Sequence, residues 1–187
     1  MIILVYLHYF LAFVSGFLVK WVDWIEDDRK GDGYLKFILA IAYGLIIGYL
    51  ISQASFAELF LGAIIAQIFA RKIDNISHAI GFVATIAAMI YFGLHTMDLH
   101  FIIYFFILAF LDEQQYLGNY RRITEWRLFT KLGAVALILI GRFDYAIAIL
   151  LFDSGYILFR ELRKTLFPQT DLPPKPAKKK KKKPKKA

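Results

Sequence analysis

Four apolar stretches of this chain run into an aspartate. They are Leu18-Val19-Lys20-Trp21-Val22-Asp23, Phe69-Ala70-Arg71-Lys72-Ile73-Asp74, Leu108-Ala109-Phe110-Leu111-Asp112 and Leu150-Leu151-Phe152-Asp153. A carboxylate at or inside hydrocarbon is costly, needs a partner and is a functional candidate by default. The densest acidic run follows the first stretch, from Asp23 through Glu26, Asp27 and Asp28 to Asp32. On a helix continuing past Asp23, the residues Asp23, Glu26 and Asp27 share one face by the i, i+3, i+4 rule. Clustered carboxylates with oxygen-only ligands suit Mg²⁺, Ca²⁺ or Mn²⁺, and Mg²⁺ in turn suits a phosphate or diphosphate, whose oxygens it bridges.

This chemistry assigns roles. Asp23, Asp112 and Asp153 are the expected metal ligands, with Asp74 or Glu113 assisting, and Mg²⁺ or Mn²⁺ is the expected ion. Arg71, Lys72, Arg121, Arg122 and Arg127 lie toward the same side and as a set would hold phosphate, with Arg71, Lys72 and Arg121 the expected ligands and arginine acting bidentately. Ordinary anchoring of cations at a membrane edge competes with that assignment. Asp74-Asn75-Ile76-Ser77-His78 also has a local explanation, because Asp, Asn and Ser are favoured helix N-caps. Asp23, Asp112 and Asp153 lack one, since the macrodipole disfavours anions near helix C-termini. Asp153 lies two turns before Arg160, and Lys131 sits at similar depth in its own segment, so an Asp153–Lys131 ion pair is expected.

The elements that must carry these residues are transmembrane. The chain has 187 residues, is 59% hydrophobic and has a mean hydropathy of +0.54. A soluble domain is about 45–50% apolar, and the excess here falls in long blocks. Seven candidate segments follow: Ile2–Val22, Tyr34–Ser52, Phe56–Ala70, Ala79–Leu94, Leu99–Leu111, Leu128–Ile140 and Tyr145–Phe159. The fifth is short and is expected to continue through Asp112 and Glu113 toward Leu117. The last two are also short, so a re-entrant hairpin competes with two crossings. The first segment has no positive n-region and no cleavage-like site, and is expected to be a retained span.

Lys and Arg cluster at alternate connections, which by the positive-inside rule places the N-terminus outside and the C-terminus in the cytosol. The expected fold is thus an all-α polytopic bundle in the cell membrane (residues 1–166), followed by a disordered tail (167–187). Gly44-Leu45-Ile46-Ile47-Gly48 and the series Gly62, Ala66, Ala70 are small-residue faces for close helix packing, within the chain or between copies. His8, His95 and His100 fall away from the carboxylates.

The net charge of +8 belongs to one appendage. Residues 1–170 carry equal numbers of basic and acidic side chains, and the tail carries nine lysines, six of them the block Lys178, Lys179, Lys180, Lys181, Lys182 and Lys183. Its expected partner is the bilayer, through anionic headgroups at about 1 kcal/mol per lysine. Specific nucleic-acid binding does not follow from it. The absence of cysteine excludes disulfides, thiolate metal sites and cysteine nucleophiles. No Walker A, GxGxxG, HExxH or GxSxG pattern occurs.

The leading expectation is a metal-dependent enzyme acting on a phosphorylated lipid at the cytosolic face. A cation transporter or channel is the first alternative, using intramembrane aspartates together with Glu58, Gln67, Arg142 and Asp144. A membrane scaffold working through its lysine tail is the second.

Overall fold

Each apolar segment becomes a helix in the computed structural model, which describes residues 2–28, 33–73, 75–114 and 127–166. The helices are α1 (Ile2–Asp28), α2 (Leu35–Gln53), α3 (Ala57–Phe69), α4 (Ile76–Phe92), α5 (Leu99–Glu113), α6 (Leu128–Ala136) and α7 (Phe143–Leu166). A 3₁₀ turn, Leu137–Ile140, extends α6, and the described residues contain no strand. Helices α1 and α2 are each long and apolar enough to cross a membrane.

The ends have local causes. Ala54 leaves α2 in an extended conformation, and Gly141, at φ 81°, stops the 3₁₀ turn in the left-handed region. Asp98 caps α5 by accepting from the His100 backbone N–H at 2.9 Å. Helix α5 runs through Asp112 and ends at Glu113, where Gln114 turns out with ψ 92°; Leu117 lies outside the described residues. Helix α1 continues past its apolar segment to Asp28, as the shared face of Asp23, Glu26 and Asp27 requires, and α7 runs past Phe159 to Leu166, because no Gly or Pro interrupts either helix there.

The packing pairs helices that are not consecutive: α1 with α7, α2 with α4, and α3 with α5. Each pair is parallel. Tyr43 meets His78 near the start of α2 and α4, and Gln53 meets Phe92 at their ends. Phe13 and Phe17 lie against Gly155, and Trp21 stacks on Phe159. Consecutive neighbours run antiparallel, as His8 against Tyr49 and Glu26 against Lys36 show for α1 and α2. Chain direction therefore alternates from helix to helix.

Glycine makes the parallel pairs close. A Cβ on Gly16 would collide with the Phe152 carbonyl, and one on Gly155 with the Phe13 carbonyl. Gly44 and Gly48 sit on Gly81 and Thr85 of α4, and Gly62 sits on Ile102 and Phe106 of α5. These small-residue faces are thus filled inside the chain. The core between the pairs is aromatic, with Phe56, Phe105 and Tyr145 fully buried. The outer surface is apolar too: Ile3, Ile38, Ile90, Ile103, Leu139 and Leu150 are all exposed, Leu139 at 90%.

Candidate functional site

The ends of the helices surround a cavity of about 600 Å³. Helix α1 brings Asp23 and Asp27, one turn apart. The segment after α3 brings Lys72, the start of α4 brings His78, and the end of α5 brings Asp112 and Glu113. Arg127 and Thr130 come from the start of α6 and Tyr156 from α7. Deeper in, the walls become apolar: Ile47, Leu59, Phe60, Ile64, Ile149 and Phe152. The cavity has a polar end rich in charge and an apolar end bounded by the aromatic core.

A chain of polar groups crosses its wall. Tyr43 Oη lies 3.1 Å from His78 Nδ1, and His78 Nε2 lies 3.3 Å from Asp23 Oδ1. The Tyr156 hydroxyl donates to Asp23 Oδ2 at 3.3 Å, and Lys20 approaches the same oxygen at 3.8 Å. With both ring nitrogens engaged, His78 holds the aspartate and the tyrosine in place. Asp27 is different: it lines the cavity, is exposed, and has no hydrogen-bond or ion-pair partner among the described residues.

Asp112 has a structural task. Its Oδ1 accepts from the Phe129 backbone N–H at 3.0 Å, and its Oδ2 accepts from Thr130 N–H at 2.8 Å and Thr130 Oγ1 at 2.6 Å. These are orphan donors at the start of α6, so Asp112 serves as an N-cap supplied by another helix. The macrodipole of α6 favours this anion, which offsets the penalty expected from its own helix. Asp153 is in direct ion contact with Lys131. Glu113 pairs with Lys72 at 3.5 Å.

The cavity thus gathers Asp23, Asp112 and Glu113 of the expected metal ligands and Lys72 of the expected phosphate ligands. Asp153 faces α6 through Lys131, and Arg71 is exposed with φ 55°. Asp74, Arg121 and Arg122 lie outside the described residues, as does the lysine tail. Among the described residues no three His, Asp or Glu side chains are grouped to hold a metal ion by themselves.

The local capping explanation for 74–78 does not describe its visible residues. Asn75 occupies the N-cap of α4 without a side-chain cap, while Ser77 donates to Glu26 and His78 turns to Asp23 and Tyr43. Of the candidates for an ion pathway, Gln67 lines this cavity. Glu58 is buried at the other end, accepting from Tyr145 Oη at 3.0 Å and from Asp98 N–H at 3.1 Å. Arg142 pairs there with Asp144 at 3.1 Å.

Tyr43 and Tyr156 are the site residues that sequence reasoning did not name. A tyrosine hydroxyl inside an apolar segment needs a hydrogen-bond partner when buried, so Tyr43 and Tyr156 carried a readable signal. Arg127 belongs to the set of cations on the carboxylate side, for which anchoring at a membrane edge competes with phosphate binding.

No known protein family, curated protein or solved structure matches this chain. The site alone therefore carries the functional argument.

Proposed function

We propose that this chain is a polytopic membrane protein, with its C-terminus on the cytosolic side, whose cavity binds a phosphorylated amphiphile and carries out Mg²⁺-assisted chemistry on its headgroup. Alternating helix directions and a large apolar outer surface support the membrane reading, because a soluble monomer rarely exposes more than a few hundred Å² of contiguous apolar area. The observation that carries the function is the cavity's polarity: charged groups of both signs at one end, and Ile47, Leu59, Phe60 and Ile64 at the other. That division matches a molecule with a charged head and an apolar tail.

The charge balance supports the ion. Lys72 offsets Glu113, and the start of α6 offsets Asp112. Asp27 then remains without a partner among the described residues, one turn from Asp23, whose oxygens Lys20, His78 and Tyr156 approach. Mg²⁺ keeps waters and is usually held by one or two carboxylates plus substrate phosphates, so a preassembled three-residue cage is not required. In this reading Asp23 and Asp27 hold the ion, which polarises phosphoryl oxygens. The cations receive the remaining phosphate charge.

A transport pathway would have to join this cavity to the Glu58 end. Phe56, Phe60 and Phe152 pack ring against ring between them, which favours chemistry at one face. The test uses full-length protein in detergent with phosphatidic acid, Mg²⁺ and, as control, diacylglycerol. Thermal stabilisation by phosphatidic acid that increases with Mg²⁺ and is lost in Asp27→Asn is the expected result. Equal response to both lipids, or cation flux in proteoliposomes abolished by Asp153→Asn, would overturn the proposal.

A further inference from the structure

Arg127 is out of place by every local rule. It occupies the N-cap of α6 with φ 49° and ψ 46°, a left-handed conformation that is strained for a non-glycine residue. N-caps favour Ser, Thr, Asp or Asn, whose oxygens accept from the first turn. Here Asp112 does that work from α5. A cation is also the wrong charge for a helix N-terminus. Glycine or asparagine would satisfy this backbone better.

The side chain is held by ring faces and by the field of the Asp153, Glu113 and Asp23 carboxylates, not by a hydrogen bond among the described residues. Its guanidinium carbon lies 5.3 Å from the centroid of the Phe152 ring and 5.6 Å from that of Tyr156, which fixes the group over two aromatic faces at the cavity wall. Among the described residues it makes no hydrogen bond and no ion pair. The carboxylates around it are committed elsewhere: Asp153 to Lys131, Glu113 to Lys72, and Asp23 to His78 and Tyr156. Five N–H donors therefore face a polar cavity without a hydrogen-bond acceptor among the described residues. Strain retained at a cavity wall points to function, with the inference running from the observed outlier.

We infer that Arg127 is the residue that recognises the ligand's anionic head, its guanidinium taking two oxygens of a phosphoryl group while Phe152 and Tyr156 hold its plane. The inference rests on the phosphorylated-ligand reading above and names the group that selects for it. Arginine suits this role because its planar fork matches phosphate oxygens bidentately, and aromatic stacking pre-organises it.

The experiment compares wild type, Arg127→Gly and Arg127→Lys as full-length protein in detergent, with inorganic phosphate and short-chain phosphatidic acid as separate probes. Binding and melting temperature are both measured. Arg127→Gly is expected to melt no lower than wild type, because glycine relieves the left-handed strain, yet to bind the phosphoryl probe at least about tenfold more weakly. Arg127→Lys keeps the charge without the fork and is expected to fall between them, which guards against misfolding of the glycine variant. A merely structural arginine would lower the melting temperature and leave affinity unchanged, and that pattern would overturn the inference. If wild type binds phosphate through Arg127 but ignores the lipid, the arginine's role stands and the lipid reading falls. If wild type binds neither probe, both fall.

Discussion

The sharpest division between a metal ligand and a helix cap falls on Asp112. Asp112→Ala would leave two backbone N–H groups and one hydroxyl without their acceptor, at a residue only 6% exposed. An unsatisfied buried donor costs about 1–3 kcal/mol, and losing an N-cap costs about 0.5–2 kcal/mol. Water entering from the cavity would recover part of this, so a net loss of about 2–4 kcal/mol is expected. For a chain of this size that is a fall of roughly 4–16 °C in melting temperature. Asp112→Asn keeps one acceptor oxygen but sets its amide against a backbone N–H, so about 1–2 kcal/mol is expected. Thr130→Val removes only the hydroxyl donor and should cost about 1 kcal/mol. The assay is thermal unfolding in detergent, followed by tryptophan fluorescence, with hydrogen exchange on α6 as the local readout. The predicted order is Ala worst, then Asn, then Thr130→Val, with exchange in the first turn of α6 rising in parallel. Unchanged melting and unchanged α6 exchange in Asp112→Ala, together with lost Mg²⁺ binding, would refute the cap and restore the carboxylate to the metal.

Other predictions follow from the packing and the ion pairs. A double-mutant cycle of Asp153→Asn with Lys131→Met should give a coupling of about 1–3 kcal/mol, because both side chains are largely buried and in contact; a coupling below about 0.5 kcal/mol in detergent unfolding would remove the pair. Gly155→Ala should destabilise by about 1–3 kcal/mol through collision with the Phe13 carbonyl, whereas Leu139→Ala at an exposed position should change detergent stability little. At the opposite end, the His100 backbone N–H and then its ring hold the Asp98 carboxyl below its ordinary 3.8. A depressed folded value means the cap contributes in full above that pH and is lost as pH falls through the lower folded value. Exchange at the first turn of α5 should therefore rise only below about pH 4 and should be insensitive to pH in Asp98→Ala.

The sequence was most informative where the physics is local or periodic. Apolar length located seven helices, and the alternation of cations agrees with the alternating helix directions. Gly44, Gly48 and Gly62 carried their packing role in their spacing. Lys131 and Asp153 could be matched because each sits at a depth where an unpaired charge is costly. The role of Asp112 was not legible, because its acceptor work is for Phe129 and Thr130, across the turn between α5 and α6. The helix-end position of Asp23, Asp112 and Asp153 suggested three ligands of one ion, yet helix order around the bundle gives them three different partners. Arg127 was legible as one cation of a set, but what sets it apart from the others at the cavity was not, because that is a backbone angle and not a residue pattern.

The parallel contact of α1 with α7 has a consequence for how the protein is made. The residues that meet are 13–17 and 152–155, so the first helix lacks its partner until nearly the whole chain has been synthesised. At about 5–20 residues per second, that is a wait of about 8–30 s. During it, the Gly16 face has no α7 to fill it, and the hydroxyl of Tyr156 has not reached Asp23. The cavity is thus closed late, by α7. Synthesis stalled before α7 would leave a chain with an open flank and an incomplete cavity, the kind of species that quality-control proteases can recognise by its unfilled glycine face.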